Sequence, residues 1–177
     1  MSLFIERLGR RHNRDAFRSG NEDLDEWFQR SAGQADRRQN SARVWVLCDD
    51  DIDGGRRPIG YYALVAHAVT AAAGPGALGQ GQPTGFPIGA VLLARLAIDA
   101  QHQARGLGAR LLADAVRRIA AADEHVAIAL LVVDAIDERA AAFYERFGFE
   151  RFPADRLRLG ARLKDVRRTL SRGPAPD

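Results

Sequence analysis

Tyr144 lies in the stretch RAAAFYERFGFERF, residues 139 to 152, beside Glu145 and one turn before Phe147. A phenol can hand a proton to a leaving group, and it can equally fill a core. Ala140, Phe143, Tyr144 and Phe147 recur at i, i+3, i+4 and i+7, one apolar face of a helix. Asp137 stands where an N-cap is needed, and Gly148 where a left-handed stop would follow the last turn. By periodicity alone Tyr144 is a core aromatic whose hydroxyl needs a partner.

A second chemistry-bearing stretch is LARLAIDAQHQARGLGARLLADAVRRI, residues 93 to 119. A buried strand ends at Asp99, and Gln103-Ala104-Arg105-Gly106-Leu107-Gly108 opens a helix. Glycines let backbone approach a ligand, and the unpaired N–H groups of a helix start suit a phosphate. A Walker loop is excluded because no lysine follows the glycines, and a dinucleotide fingerprint because Leu111 takes the third glycine position.

Other reactive residue types lead nowhere by spacing. Cys48 is the only cysteine, follows the apolar run VWVL, and reads as a buried thiol in a reducing cytoplasm. His12, His67, His102 and His125 have no metal-ligand spacing. Asp49, Asp51, Asp53 and Gly54 begin like a calcium loop, but Gly60 stands where the bidentate glutamate belongs. We therefore expect no metal.

The elements that must position these groups follow from pattern. Residues 3–8 read as a strand. A helix from Asn21 carries Leu24, Trp27, Phe28, Ala32 and Ala35 on its apolar stripe. Strands at 43–49 and 58–69 are joined by the hairpin loop DDDIDGGRR. Residues 71–87 show no period. A buried strand at 90–99, a helix at 106–122 with Leu107, Leu111, Leu112, Ala115 and Ile119 inward, and a buried strand at 126–134 come next. The helix of Tyr144 follows, then FERF and RLRLGARL as strands, the latter an edge strand running into a final helix, and a loose tail at 171–177. Buried strands alternating with helices give an α/β (α+β) sandwich around a mixed sheet. With 177 residues, 46% of them hydrophobic, the chain is expected to form a single domain over 1–170. No run is apolar enough for a membrane span, and the N-terminus becomes charged too early for a signal peptide.

The net charge of +3 is unevenly spread. Residues 150–172 hold eight basic and three acidic residues, and residues 61–94 hold no charged residue. Lys164 is the sole lysine, so the other basic residues are arginines, whose planar forks match phosphate.

Taken together, the two stretches resemble the GNAT superfamily of N-acetyltransferases. Gln103, Gly106 and Gly108 match the pattern Q/R-x-x-G-x-G/A of its acyl-CoA loop, and FYERFGF matches its closing F-Y-x-x-x-G-F element. The resemblance implies a mixed central sheet splayed at the acetyl-CoA site, with helices on both faces. It implies that the backbone of Leu96, Ala97 and Ile98 pairs with the pantetheine arm. Gln103, Ala104, Arg105, Gly106, Leu107, Gly108 and Ala109 would hold the pyrophosphate, and Tyr144 would protonate the leaving thiolate. The N-terminal stretch HNRDAFRSGNEDLDEWFQRSAGQADRR, ARLAID before the loop and the final LKDVRRTL are similar to the GNAT toxins of type II toxin–antitoxin systems. That similarity implies acetylation of the α-amino group of aminoacyl-tRNA, a block of translation, and a ribbon-helix-helix antitoxin as partner. It also implies a homodimer in the cytoplasm. Arg37, Arg38, Arg43 and Arg95 become candidates for RNA contact. Two departures stand out: Ala104 replaces a frequent glycine, and the stretch before β-residue 90 lacks the basic residues many relatives carry.

Amine chemistry gives an independent check on the substrate. A lysine amine, with pKa about 10.4, needs a strong base before it can attack, whereas an α-amine, at about 7.7 to 8.0, is already partly neutral at pH 7. AVLLARLAI offers no carboxylate as base, which leaves Glu138, Glu145 or a water chain for that role. Two alternatives remain: an acetyltransferase of a small amine or protein N-terminus, which for a cationic amine calls for an acidic cleft, and a non-catalytic CoA-binding or corepressor module that needs no Tyr144 hydroxyl.

Overall fold

The computed structural model describes residues 2–81 and 85–172. Seven strands form a mixed sheet in the order β1-β2-β3-β4-β5-β7-β6. They are β1 (Leu3–Arg7), β2 (Arg43–Asp49), β3 (Pro58–Val69), β4 (Ile88–Ile98), β5 (Leu130–Asp134), β6 (Glu150–Arg151) and β7 (Arg158–Arg162). The helices are α1 (Glu22–Glu26), α2 (Ala32–Arg37), α3 (Gly76–Gly79), α4 (Leu107–Asp123), α5 (Glu138–Glu145) and α6 (Leu163–Arg172). The chain groups into two compact units, one of residues up to Val65 plus Ala94–Ala115, the other of Ala66–Leu93 plus the chain from Val116.

In the first unit β1, β2 and β3 pair antiparallel, with Phe4 opposite Cys48 and Val46 opposite Tyr61. Successive strand residues face opposite sides. Tyr61 donates from its hydroxyl to the Leu24 carbonyl on α1 at 2.9 Å, and its neighbour Tyr62 donates to Asp114 Oδ2 on α4 at 2.6 Å. Helices therefore cover both faces here. Phe28 stacks on Tyr61 at 4.1 Å between centroids, and Phe17 meets Phe28 edge-on at 4.9 Å.

The expected unbroken helix from Asn21 is interrupted. Asn21 does cap α1, accepting from Leu24 N–H at 3.0 Å. Residues Trp27–Ser31 then form a π turn, in which Ala32 N–H bonds to the Trp27 carbonyl. Spacing explains the widening. Leu24, Phe28 and Ala32 sit four apart, so each step would drift about 40° around a regular helix. The wider turn keeps all three in the core, where they are buried together with Ala35. Asp36, 4% exposed, fastens the end of α2 to the sheet. Its Oδ1 accepts from Val44 N–H at 2.9 Å and from Arg7 Nε at 3.0 Å.

In the second unit β5 runs parallel to β4, from Ala90 opposite Leu130 to Leu93 opposite Val133. A parallel pair needs a long crossover, which the 17 residues of α4 supply. Three expectations need correction. β5 begins at Leu130 rather than 126, because the Asp123 carboxylate takes the Ile128 N–H at 2.7 Å. β7 is not an edge strand: it pairs with β5 on one side and β6 on the other, and its Leu159 and Ala161 are buried. Ser171 and Arg172, expected in a loose tail, complete α6, while 173–177 lie outside the described residues. The unpatterned stretch 71–87 holds the short α3, and its residues 82–84 also lie outside the described set.

Removing the Asp36 carboxylate leaves the buried Val44 N–H without an acceptor. Asp36→Ala should cost about 2–3 kcal/mol, measured as a lower urea midpoint at unchanged slope. Asp36→Asn, which keeps one acceptor oxygen, should cost less.

Candidate active site

The chain turns at Asp99, whose side chain is almost fully buried. Asp99 Oδ1 accepts from Gln101 N–H at 3.2 Å and lies 3.4 Å from His102 Nδ1, and Oδ2 accepts from Arg18 N–H at 3.2 Å. Ala100 N–H donates to the Arg18 carbonyl at 2.7 Å. Gln103 Nε2 then donates to the Ser19 carbonyl at 2.8 Å and the Ile98 carbonyl at 3.0 Å. Gln103, expected among the ligand-binding residues, thus spends its amide nitrogen on the protein. It ties the strand end and the segment before α1 into the loop.

Beyond this tie the backbone takes an unusual path. Ala104 has φ of 58° and Gly106 φ of 73°. Space around Gly106 is open: no atom lies within 4 Å of where its Cβ would be. Arg105 and Gly106 are exposed, whereas Leu107 is buried and anchors α4. Arg110 N–H closes the first helical turn on the Gly106 carbonyl at 3.2 Å. The N–H groups of Leu107, Gly108 and Ala109 precede that bond and have no acceptor within the helix. An exposed helix start with orphan donors and open space fits a pyrophosphate. Just upstream, Ala97 and Ile98 are buried and Leu96 is half-buried.

Tyr144 sits on α5. Asp137 caps that helix, accepting from Ala140 N–H at 2.8 Å, and Gly148 leaves it at φ of 88°. The buried face is Ala141 and Tyr144, continued by Phe147 and Phe149, while Ala140 is only half-buried. The Tyr144 ring meets Phe143 and Phe149 edge-on at 5.1 and 5.6 Å. Its hydroxyl makes no hydrogen bond among the described residues. Burial raises its pKa well above the ordinary tyrosine value, so the proton stays on the phenol. The carboxylates nearest in sequence are occupied: Arg151 holds Glu138 Oε2 at 2.8 Å and Glu145 Oε1 at 2.7 Å. The hydrogen bond from Arg151 keeps the Glu145 carboxyl below its usual range, which makes it a weak base.

The arginines expected to meet RNA divide. Arg37 ends α2, Arg38 follows as its C-cap, and Arg43 Nη1 reaches the Asp36 carbonyl at 3.3 Å. Arg95 lies over the Trp27 ring, 4.3 Å from the centroid, a cation–π contact. A groove of about 440 Å³ is lined by Arg18, Glu22, Asp25, Glu26, Gln29 and Arg30. Asp25 takes the Ser19 N–H and hydroxyl at 2.8 and 2.6 Å, and Glu26 pairs with Arg30 at 2.6 Å. These charges are largely satisfied internally, and the groove is not the acidic cleft a cationic small amine calls for.

Sequence spacing did not reveal that Glu6, His12 and Cys48 come together, their ligand atoms within 4.8 Å of one another. Strand register alone places Phe4 opposite Cys48 and Glu6 opposite Val46, and only the fold returns His12 to them. His12 Nδ1 accepts from Gly9 N–H at 2.9 Å, which puts the ring proton on Nε2, 2.9 Å from Glu6 Oε1. Arg11 shares that carboxylate oxygen. Burial pushes the Cys48 thiol up to about 12. A metal needs a bare Nε2 and a thiolate, so this group fits an Arg11–Glu6 ion pair buttressed by a His12 hydrogen bond rather than a metal site.

Known proteins resemble the chain over most of its length. An acetyltransferase (GNAT) domain model matches residues 40–151. The tRNA-acetylating toxin of Mycobacterium tuberculosis (strain ATCC 25618 / H37Rv) is 37% identical over 152 residues, 86% of this chain and 87% of that protein. The structure of AtaT complexed with acetyl-methionyl-tRNAfMet superposes with a TM-score of 0.84 at 29% identity, covering 93% of this chain and 97% of that one. A Tyr-to-Phe mutant of AtaT, bound to the C-terminus of the antitoxin AtaR and acetyl-CoA, gives a TM-score of 0.77 at 27% identity, covering 93% and 95%.

The left-handed backbone at Ala104 is a conformation that glycine adopts without strain. Ala104→Gly should hold or raise stability by up to about 1 kcal/mol, and Gly106→Ala should cost about the same. Thermal midpoints of the two variants check both signs.

Proposed function

The chain belongs to the acetyltransferase (GNAT) family, and on that premise we propose that it is a toxin that acetylates the α-amino group of aminoacyl-tRNA, so blocking translation. The observation that carries the catalytic part is Tyr144: a buried, ring-packed phenol that keeps its proton and, among the described residues, gives its hydroxyl to no protein group. The tRNA part is supported by 37% identity over most of the chain to a tRNA-acetylating toxin. A cognate antitoxin of the ribbon-helix-helix type neutralises it, and the toxin works as a cytoplasmic homodimer of single-domain chains. Among the described residues no helix is long and apolar enough to cross a membrane.

Acetyl-CoA supplies the activated acetyl thioester. The N–H groups of residues 104–109 and the dipole of α4 hold the pyrophosphate. Gln103 and Asp99 keep that loop in place from behind. Main-chain groups of Leu96, Ala97 and Ile98 align the pantetheine arm and polarise the thioester carbonyl. Amine nitrogen attacks the carbonyl carbon, the C–S bond breaks, and Tyr144 passes its proton to sulfur. No side-chain base is assigned. Glu138 and Glu145 are held by Arg151, and an α-amine loses its proton near neutral pH unaided.

Labelled acetyl-CoA offered with charged tRNA, uncharged tRNA, peptide and polyamines tests this directly. Label should appear on charged tRNA alone. Tyr144→Phe should lower kcat about 10²-fold or more while shifting stability by less than about 0.5 kcal/mol, because the lost hydroxyl has no protein partner. Label on peptide or polyamine instead would sink the tRNA reading, and label on nothing would sink the enzyme's assigned substrate classes together.

The pH profile gives a separate check. kcat/KM for charged tRNA should rise as the α-amine deprotonates, through about pH 7.7 to 8.0, and then level off. Tyr144, its pKa raised, remains protonated throughout that range, so no basic limb should appear below about pH 10. A falling limb near pH 9 would remove Tyr144 as the acid.

A further inference from the structure

We propose that Arg14 and Arg37 together form a binding site for one phosphate of the RNA substrate; this rests on aminoacyl-tRNA being that substrate. The two residues are 23 apart in the chain but meet over Gly33 on α2. A Cβ placed on Gly33 would lie 2.9 Å from Arg37 Nη2, 3.3 Å from Arg14 Nη2 and 3.4 Å from Arg14 Nη1. Both guanidiniums therefore converge on the one helix position that has no side chain to keep them apart. Two forks this close can donate to different oxygens of a single phosphate.

Neither charge is matched by an ion pair among the described residues. Three other arginines of this unit pair with carboxylates: Arg7 with Asp36, Arg11 with Glu6 and Arg30 with Glu26. Arg14 Nη1 donates to the Phe28 carbonyl at 2.8 Å, within the π turn. That contact fixes the guanidinium beside α2 but brings no negative charge. Burial, and after it the like charge of Arg37, depress the Arg14 guanidinium against a smaller opposing pull from Asp15. Two like charges held together by a neutral carbonyl and a missing Cβ form an anion receptor. Arg37 alone was a candidate by sequence, and Arg14 was not.

Four variants, Arg37→Gln, Arg14→Gln with Arg37→Gln, Gly33→Ala and Arg30→Gln, are compared with wild type in acetylation of charged tRNA and in the salt dependence of tRNA binding. Arg37 is exposed, so Arg37→Gln tests the site without threatening the fold. It should raise KM for charged tRNA about tenfold and lower the log–log salt slope by about 1, the value for one lost phosphate contact. Because the two arginines share a ligand, adding Arg14→Gln should change KM little further. Gly33→Ala should raise KM with no change in net charge, since the new methyl meets only flexible guanidinium ends. Arg30→Gln, removing a charge already paired with Glu26, should leave the slope as it was.

A wild-type KM and slope in Arg37→Gln overturns the site. So does an equal loss in Arg30→Gln, which would mean that only bulk charge matters. If wild type neither binds nor acetylates charged tRNA, the substrate reading falls and this site with it; a failure confined to the variants overturns the site alone.

Discussion

The buried Asp99 carboxylate is the constraint on which the rest of the site depends. It stands where β4 stops, and it receives N–H groups from both the loop ahead and the Arg18 segment, 81 residues away in sequence. The Arg18–Ala100 backbone bond and the two Gln103 bonds repeat the same connection. A loop that must offer its own N–H groups to a ligand cannot use them to hold itself. Side-chain acceptors and donors at Asp99 and Gln103 take over that task, leaving the donors at the start of α4 uncommitted.

Much of this was legible because it is local. The apolar stripe of α4, the Asp137 cap, the Gly148 stop and the glycines before Leu107 are statements about neighbouring residues, and short-range periodicity reports them. The family resemblance added roles to residues 103–109 and Tyr144 that periodicity alone does not supply. What escaped is long-range. Nothing in residues 13 to 15 announces that Arg14 meets Arg37, and Trp27 does not signal that it lies under Arg95. Leu159 and Ala161 read as edge residues in a short arginine-flanked run, and only pairing on both sides makes β7 interior. Gln103 was legible as a motif residue but not in its task, because its partners at Ser19 and Ile98 are supplied by the fold.

The distribution of carboxylates is as informative as that of arginines. Asp25, Asp36 and Asp99 are buried and engaged by backbone or hydroxyl donors, and Glu138 and Glu145 are gripped by Arg151. These five acids stabilise structure, each already engaged by the protein.

The π turn at Trp27–Ser31 carries one residue more per turn than a regular helix, and that extra residue sets the azimuth of everything after it. Adding one further residue there would rotate Ala32–Arg37 by about 100°. Ala32 and Ala35 would swing out of the core, Asp36 away from Val44, and Gly33 with Arg37 away from Arg14. Added length in this segment is therefore under tighter constraint than its composition: point changes are local events, whereas an insertion of one residue would dismantle the helix–sheet clamp and the arginine pair in one step.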